Sequence, residues 1–247
     1  CFAVIIIGAA CINSGVFKKI PNKSDHKLIF WRTVAEIFAT ITFLTALFYL
    51  PIANITAILQ ALPLTVTLAA SWFLGEKIGW KRGLAILVGF FGVILIIQPG
   101  TDEFNIYSIL GIVCVAFVTF RDLVVRRFNR NISTLYVAFI TAAAIALIGG
   151  VLTFIYEGWT PMKLSEITLL FIASCLIFMG YYFAISAMRN GQVSFVSPFR
   201  YTIMIWAILL GYFVWGDIPN NLTLLGISIV IGMGIFTFWR EARTQKK

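Results

Sequence analysis

Apolar residues fill this chain in long blocks, most of them close to the roughly 20 residues a helix needs to cross a bilayer. Short polar breaks separate the blocks. The pattern predicts helices over 29–49, 52–74, 82–98, 106–125, 133–155, 166–188, 191–215 and 221–239. The opening piece, CFAVIIIGAACINSG, is too short to span and has no charged start, so it reads as a helix entered partway. Leu50-Pro51-Ile52 ends one helix and opens the next, because proline terminates a helix yet suits a first turn.

Composition agrees with that reading. Of the 247 residues, 60% are hydrophobic and 12% charged, and no polar stretch is long enough to enclose a soluble core. The expected class is an all-α integral membrane protein. A formal charge of +9 would suggest nucleic acid in a soluble protein, but here the basic residues sit in short loops, and no nucleic-acid partner is expected. The loops at 17–27 and 75–82, the Arg126, Arg127, Arg130 loop, the Arg189 turn and the 240–247 tail are basic. The loops between them hold only Lys163, so every second loop is basic, the pattern expected if the C-terminus lies on the cytoplasmic side. Cys1, Cys11, Cys114 and Cys175 lie in apolar runs without metal-ligand spacing. No metal and no cofactor is expected.

The chain also resembles itself. ALFYLPIANITAILQALPLTVTLAASWFLGEKIG lies over AMRNGQVSFVSPFRYTIMIWAILLGYFVWGDIPN with Ala46 on Ala187 and Gly75 on Gly216, both 141 apart. Glu76 then falls on Asp217, and Gly83 and Gly89 match Gly226 and Gly232 at 143. Loop charge puts Gly75 and Gly216 on opposite sides of the membrane, so the copies are inverted. They divide the chain at 1–103 and 104–247. The offset implies that the first copy lacks its first helix and part of its second, giving ten helices when intact.

Arg200 is the sharpest chemical signal. It lies roughly 13 Å into a helix begun at Gly191, a depth at which a cation calls for a hydrated cavity or a partner. The bland alternative is that its stem snorkels to the interface. Ser194, Ser197 and Tyr201 share its side of the helix. Under the offset, Thr56 lies over Ser197 and Gln60 over Tyr201, and Thr56, Gln60, Pro63, Thr67 and Ser71 form a polar stripe along 52–74. Pro63 frees a carbonyl or kinks the helix. The stripe lines a solute path or bonds neighbouring helices.

Arg32 and Glu36, four apart, are placed to pair, either as an interfacial anchor or as a carboxylate that gates or exchanges a proton. Arg121 and Asp122 are adjacent and diverge by about 100° around the axis, so they are expected not to pair with each other. Asp122 is placed to reach Arg126 instead. Gly75-Glu76 and Gly216-Asp217 read as structural turns, the acids accepting N–H bonds at the next helix start.

The proline-containing helix ending in Gly75-Glu76, the GWKRGLAILVGFFGVILIIQPG that follows it, and SFVSPFRYTIMIWAILLGYFVWGDIP with Leu225-Gly226 resemble the drug/metabolite transporter superfamily, specifically its EamA-type members. The likeness covers essentially the whole chain. It implies two inverted five-helix repeats around a central cavity, and secondary transport of a small organic metabolite by alternating access. The candidate solutes are an amino acid or a cofactor-like molecule of the S-adenosylmethionine or riboflavin type. The partners implied are that solute and the lipid bilayer, with a homodimer left open. The alternatives from other classes are a non-transporting membrane scaffold and an intramembrane enzyme. The enzyme reading has little to build on, since His26 is the single histidine and lies in a loop.

Overall fold

A computed structural model describes residues 2–14, 23–75, 79–100, 104–128, 132–156, 162–190 and 202–244. The described residues form helices joined by turns. In chain order these are α1 (Phe2–Asn13), α2 (Lys23–Tyr49), α3 (Ile52–Leu59), α4 (Leu62–Leu74), α5 (Trp80–Ile97), α6 (Ser108–Arg126), α7 (Thr134–Tyr156) and α8 (Leu164–Asn190). Then come α9 (Thr202–Leu210), a wider π turn at Gly211–Trp215 and α10 (Asn221–Thr244). Among the described residues, the stretches Asp25–Tyr49, Ile52–Phe73, Ser108–Val125 and Thr134–Ile155 are long and apolar enough to cross a membrane. Phe48, Phe154 and Phe213 are among many large apolar side chains left exposed, as a lipid-facing surface requires.

Two expected boundaries move for identifiable reasons. Helix α2 begins six residues earlier than its apolar run because its first turn is polar, with Asp25 where the helix dipole favours an acid. The single helix expected over 52–74 is interrupted at Gln60 and Ala61. Pro63 has no N–H for the Leu59 carbonyl, so the chain tightens there: Gln60 N donates to Ala57 O at 3.1 Å and Ala61 N to Ile58 O at 3.1 Å.

The helices fall into two compact units, Cys1–Ile37 with Val124–Gly191, and Phe38–Leu123 with Gln192–Lys247. In the first unit α1 packs on α7 and α8. A Cβ at Gly8 would lie 3.1 Å from Phe139, Cys11 Sγ donates to Leu135 O at 3.4 Å, and Phe2 meets Phe171 edge-on at 5.6 Å.

In the second unit α5 and α10 run against each other. A Cβ at Gly226 would lie 2.6 Å from Gly92 O, so only glycine admits that backbone approach. The core around this contact is built from Ala53, Ala57, Ile58, Ala61, Val93, Ile96, Val115, Met204, Ile227 and Val230. The alanines among them, with Gly92 and Gly226, let helices come close where lipid removes the hydrophobic drive to associate. At one end of the unit, Tyr49 stacks on Tyr107 at 3.9 Å, and Asn105 Nδ2 donates to Tyr49 O at 2.9 Å.

Candidate functional site

The polar residues expected along 52–74 are split by the break into two short helices. Thr56 is partly buried on α3, and Gln60 is buried at its end, 7% exposed. On α4, Thr67 Oγ1 donates to Pro63 O at 2.8 Å, a bond back to its own helix. Ser71 is partly buried. Ser194, Ser197, Arg200 and Tyr201 lie outside the described residues, as does Glu76.

Sequence reasoning passed over Thr65 and Thr119. Their hydroxyls meet at 2.7 Å between α4 and α6, and Thr119 is buried. A threonine in an apolar run carries no signal of its partner 54 residues away.

The Arg32–Glu36 pair forms as the spacing suggested, with Nη2 to Oε2 at 3.5 Å and both side chains 12% exposed. Arg32 also crosses to α7, where Nη1 donates to Thr141 Oγ1 at 2.5 Å. This second bond was not foreseen. Arg121 and Asp122 correct the sequence expectation: Arg121 Nε donates to Asp122 Oδ1 at 2.9 Å. The guanidinium stem is long enough to wrap back across the angle that separates neighbouring residues on a helix.

The two glycine turns have the same geometry. Gly75 (φ 71°) closes α4 with its N–H on Ala70 O, and Gly216 (φ 75°) closes the π turn with its N–H shared between Gly211 O and Tyr212 O, the latter at 3.0 Å. Ala70 and Gly211 are themselves 141 apart, so the left-handed glycine and its acceptor five residues back recur at the same offset. Asp217 N donates to the same Gly211 O at 3.0 Å. The residue that caps the following helix is Asn220 rather than Asp217, its Oδ1 accepting the Thr223 N–H at 2.8 Å.

Asn220 also holds Gln98. Gln98 Nε2 donates to Asn220 Oδ1 at 2.8 Å and to Thr223 Oγ1 at 3.1 Å, tying the end of α5 to the start of α10. Gln98 sits at φ 51°, the one described non-glycine residue with positive φ.

With this geometry in hand, the likeness to known proteins is informative. The profile of the EamA-like transporter family matches residues 1–98 and 105–239. The chain is 24% identical over 200 residues to an S-adenosylmethionine uptake transporter of Rickettsia felis, covering 80% of this chain and 66% of that one. It therefore spans just under two thirds of that relative's length. A riboflavin transporter of Vibrio cholerae is 26% identical over 223 residues, covering 88% of this chain and 74% of the other. The pseudopaline exporter CntI of Pseudomonas aeruginosa is 22% identical over 211 residues, covering 85% and 74%. A solved structure described as "Crystal structure of protein" superposes with a TM-score of 0.64 at 19% identity, over 98% of this chain and 87% of that one, which shows a shared fold. The chain is an integral membrane protein of the EamA-like transporter family.

Proposed function

We propose that this protein is a secondary transporter of a small organic metabolite, not an enzyme, and that it works by alternating access between two inverted repeats, 1–103 and 104–247. The observation that carries the reading is the family match over both halves, 1–98 and 105–239, each falling inside one proposed repeat. The recurrence of the left-handed glycine turn at Gly75 and Gly216 supports it, because equivalent helix ends in two copies of one unit should share their backbone geometry.

In this reading Arg200, Ser194, Ser197 and Tyr201 from the second copy face Thr56, Gln60 and Thr67 from the first across a solute path. Arg200 supplies the charge that an anionic or zwitterionic solute meets. Arg32–Glu36 and Arg121–Asp122 act as charge pairs or gates. The C-terminus is cytoplasmic in a bacterial inner membrane.

Named relatives include both an uptake transporter and an exporter, so the test must run in both directions. Protein reconstituted in liposomes is supplied with labelled S-adenosylmethionine, riboflavin and amino acids, and flux is followed inward and outward. Saturable movement of one of these above the protein-free rate is the expected result. Flux equal to protein-free liposomes for all of them contradicts the reading and favours a scaffold.

A further inference from the structure

The two halves agree closely in where their helices begin and end. Helices α2 (Lys23–Tyr49) and α8 (Leu164–Asn190) are each 27 residues long and lie 141 apart at both ends. Helix α4 and the π turn end 141 apart, at Leu74 and Trp215, and α5 and α10 start 141 apart, at Trp80 and Asn221. Equivalent positions on α2 and α8 can therefore be compared one by one.

On one side the two helices match. Trp31 and its counterpart Ile172 are 47% and 48% exposed, and Phe38 and Met179 are 48% and 50% exposed, as a side turned to lipid requires. On the adjoining side they part. Leu28, Arg32, Ala35, Glu36 and Ala39 of α2 are buried or partly buried. Their counterparts Leu169, Ala173, Leu176, Ile177 and Gly180 share an arc of about 100° on α8, and every one is exposed. Ala35 is 2% exposed where Leu176 is 62% exposed. A Cβ at Gly180 would meet nothing within 4 Å among the described residues, whereas Ala39 is buried.

Helix α6 is what covers Ala39. Cys114 Sγ donates to Ala39 O at 3.4 Å, and Val118 packs in the same cluster. The α1 contact on α8 does not serve this purpose, because Phe171, which meets Phe2, lies about 180° round the axis from Gly180.

We propose that the bare face of α8, from Leu169 to Gly180, is the seat of a membrane-spanning apolar helix that stands to α8 as α6 stands to α2. This occupant is the first helix of the first repeat, which the offset of 141 puts ahead of Cys1. Lipid does not fit as the cover, because two copies of one unit present the same side to lipid, and that side is already matched at Trp31 with Ile172 and Phe38 with Met179. Glycine at 180, where α2 has alanine, admits a closer helix approach. The inference rests on the inverted-repeat part of the transporter reading.

The test is disulfide mapping in the product of the complete gene, with Cys1, Cys11, Cys114 and Cys175 replaced by alanine. Gly180→Cys is combined with single cysteines along the helix encoded ahead of Cys1, oxidised in the membrane and read by mass spectrometry of a proteolytic digest. It should link to positions three or four residues apart, the spacing of one helix face, and Ile167→Cys, about 140° round α8, should link to none. Gly180→Leu should lower the melting temperature of the same product by about 2–8 °C, since added bulk at a helix contact destabilises. On a lipid-facing side the same change would raise it, because leucine is the better helix former.

No link along that helix, a link between two copies of the chain in its place, no such helix in the gene product, or a Gly180→Leu protein that melts at or above wild type overturns the proposal. Saturable solute flux alongside any of these results would leave the transporter reading standing. The expected links without flux would keep this seat and sink that reading.

Discussion

Gly75 and Gly216 hold the same left-handed conformation, at φ 71° and 75°, and each donates its N–H to a carbonyl five residues back. A Cβ at either would meet nothing within 4 Å, so glycine is required by the backbone and not by crowding. Alanine at either position should cost about 1–2 kcal/mol, and asparagine, which tolerates this region, clearly less. Thermal melts of Gly75→Ala, Gly75→Asn, Gly216→Ala and Gly216→Asn in detergent check this. Equal melts for alanine and wild type would mean the turns relax.

The Gly92–Gly226 contact makes a different demand. There a new methyl would run into backbone, with Gly92 O 2.6 Å and Ile96 Cγ1 2.8 Å from a Cβ on Gly226. Gly226→Ala should separate α5 from α10 and destabilise by about 1–3 kcal/mol. Unlike the turn glycines, asparagine should be worse than alanine here, a ranking that the same melts resolve.

Gln98 has two burdens, a left-handed backbone and a buried amide bonded to Asn220 and Thr223. Gln98→Leu should lower stability by about 1–3 kcal/mol, because Thr223, 2% exposed, loses its donor. Gln98→Gly should lose less, since it regains backbone freedom. Chemical denaturation of the two variants gives the order.

The Thr65–Thr119 bond joins α4 to α6 at 2.7 Å. A double-mutant cycle with Thr65→Val and Thr119→Val should give a coupling of about 0.6 kcal/mol, the usual worth of an interhelical hydroxyl bond in a membrane. Zero coupling would mean that each hydroxyl is satisfied by its own helix once its partner is gone.

What the sequence made legible is local. Apolar runs located the helices, the four-residue spacing paired Arg32 with Glu36, and the repeat offset singled out Gly75 and Gly216 before their φ values were known. Pro63 announced a disturbance in 52–74, though its effect falls two to three residues earlier, at Gln60 and Ala61, because a proline denies its bond to a carbonyl of the preceding turn. Bonds across helices were illegible. Gln98 and Asn220 are 122 residues apart, and no periodicity connects an amide with the hydroxyl or amide that packing brings to it. The Arg121–Asp122 pair was misjudged because Cα geometry was taken for the reach of a guanidinium. The stretch with Arg200, which carries the strongest functional argument from sequence, is not among the described residues.

The most direct measurement of the central claim is counterflow. Liposomes containing the protein are loaded with an excess of the unlabelled solute found in the flux screen, and labelled solute is added outside. A carrier that alternates between two faces predicts a transient accumulation of label above equilibrium, abolished in Arg200→Ala at equal protein content. Label that only equilibrates, or an Arg200→Ala protein that accumulates it as well as wild type, would contradict the account.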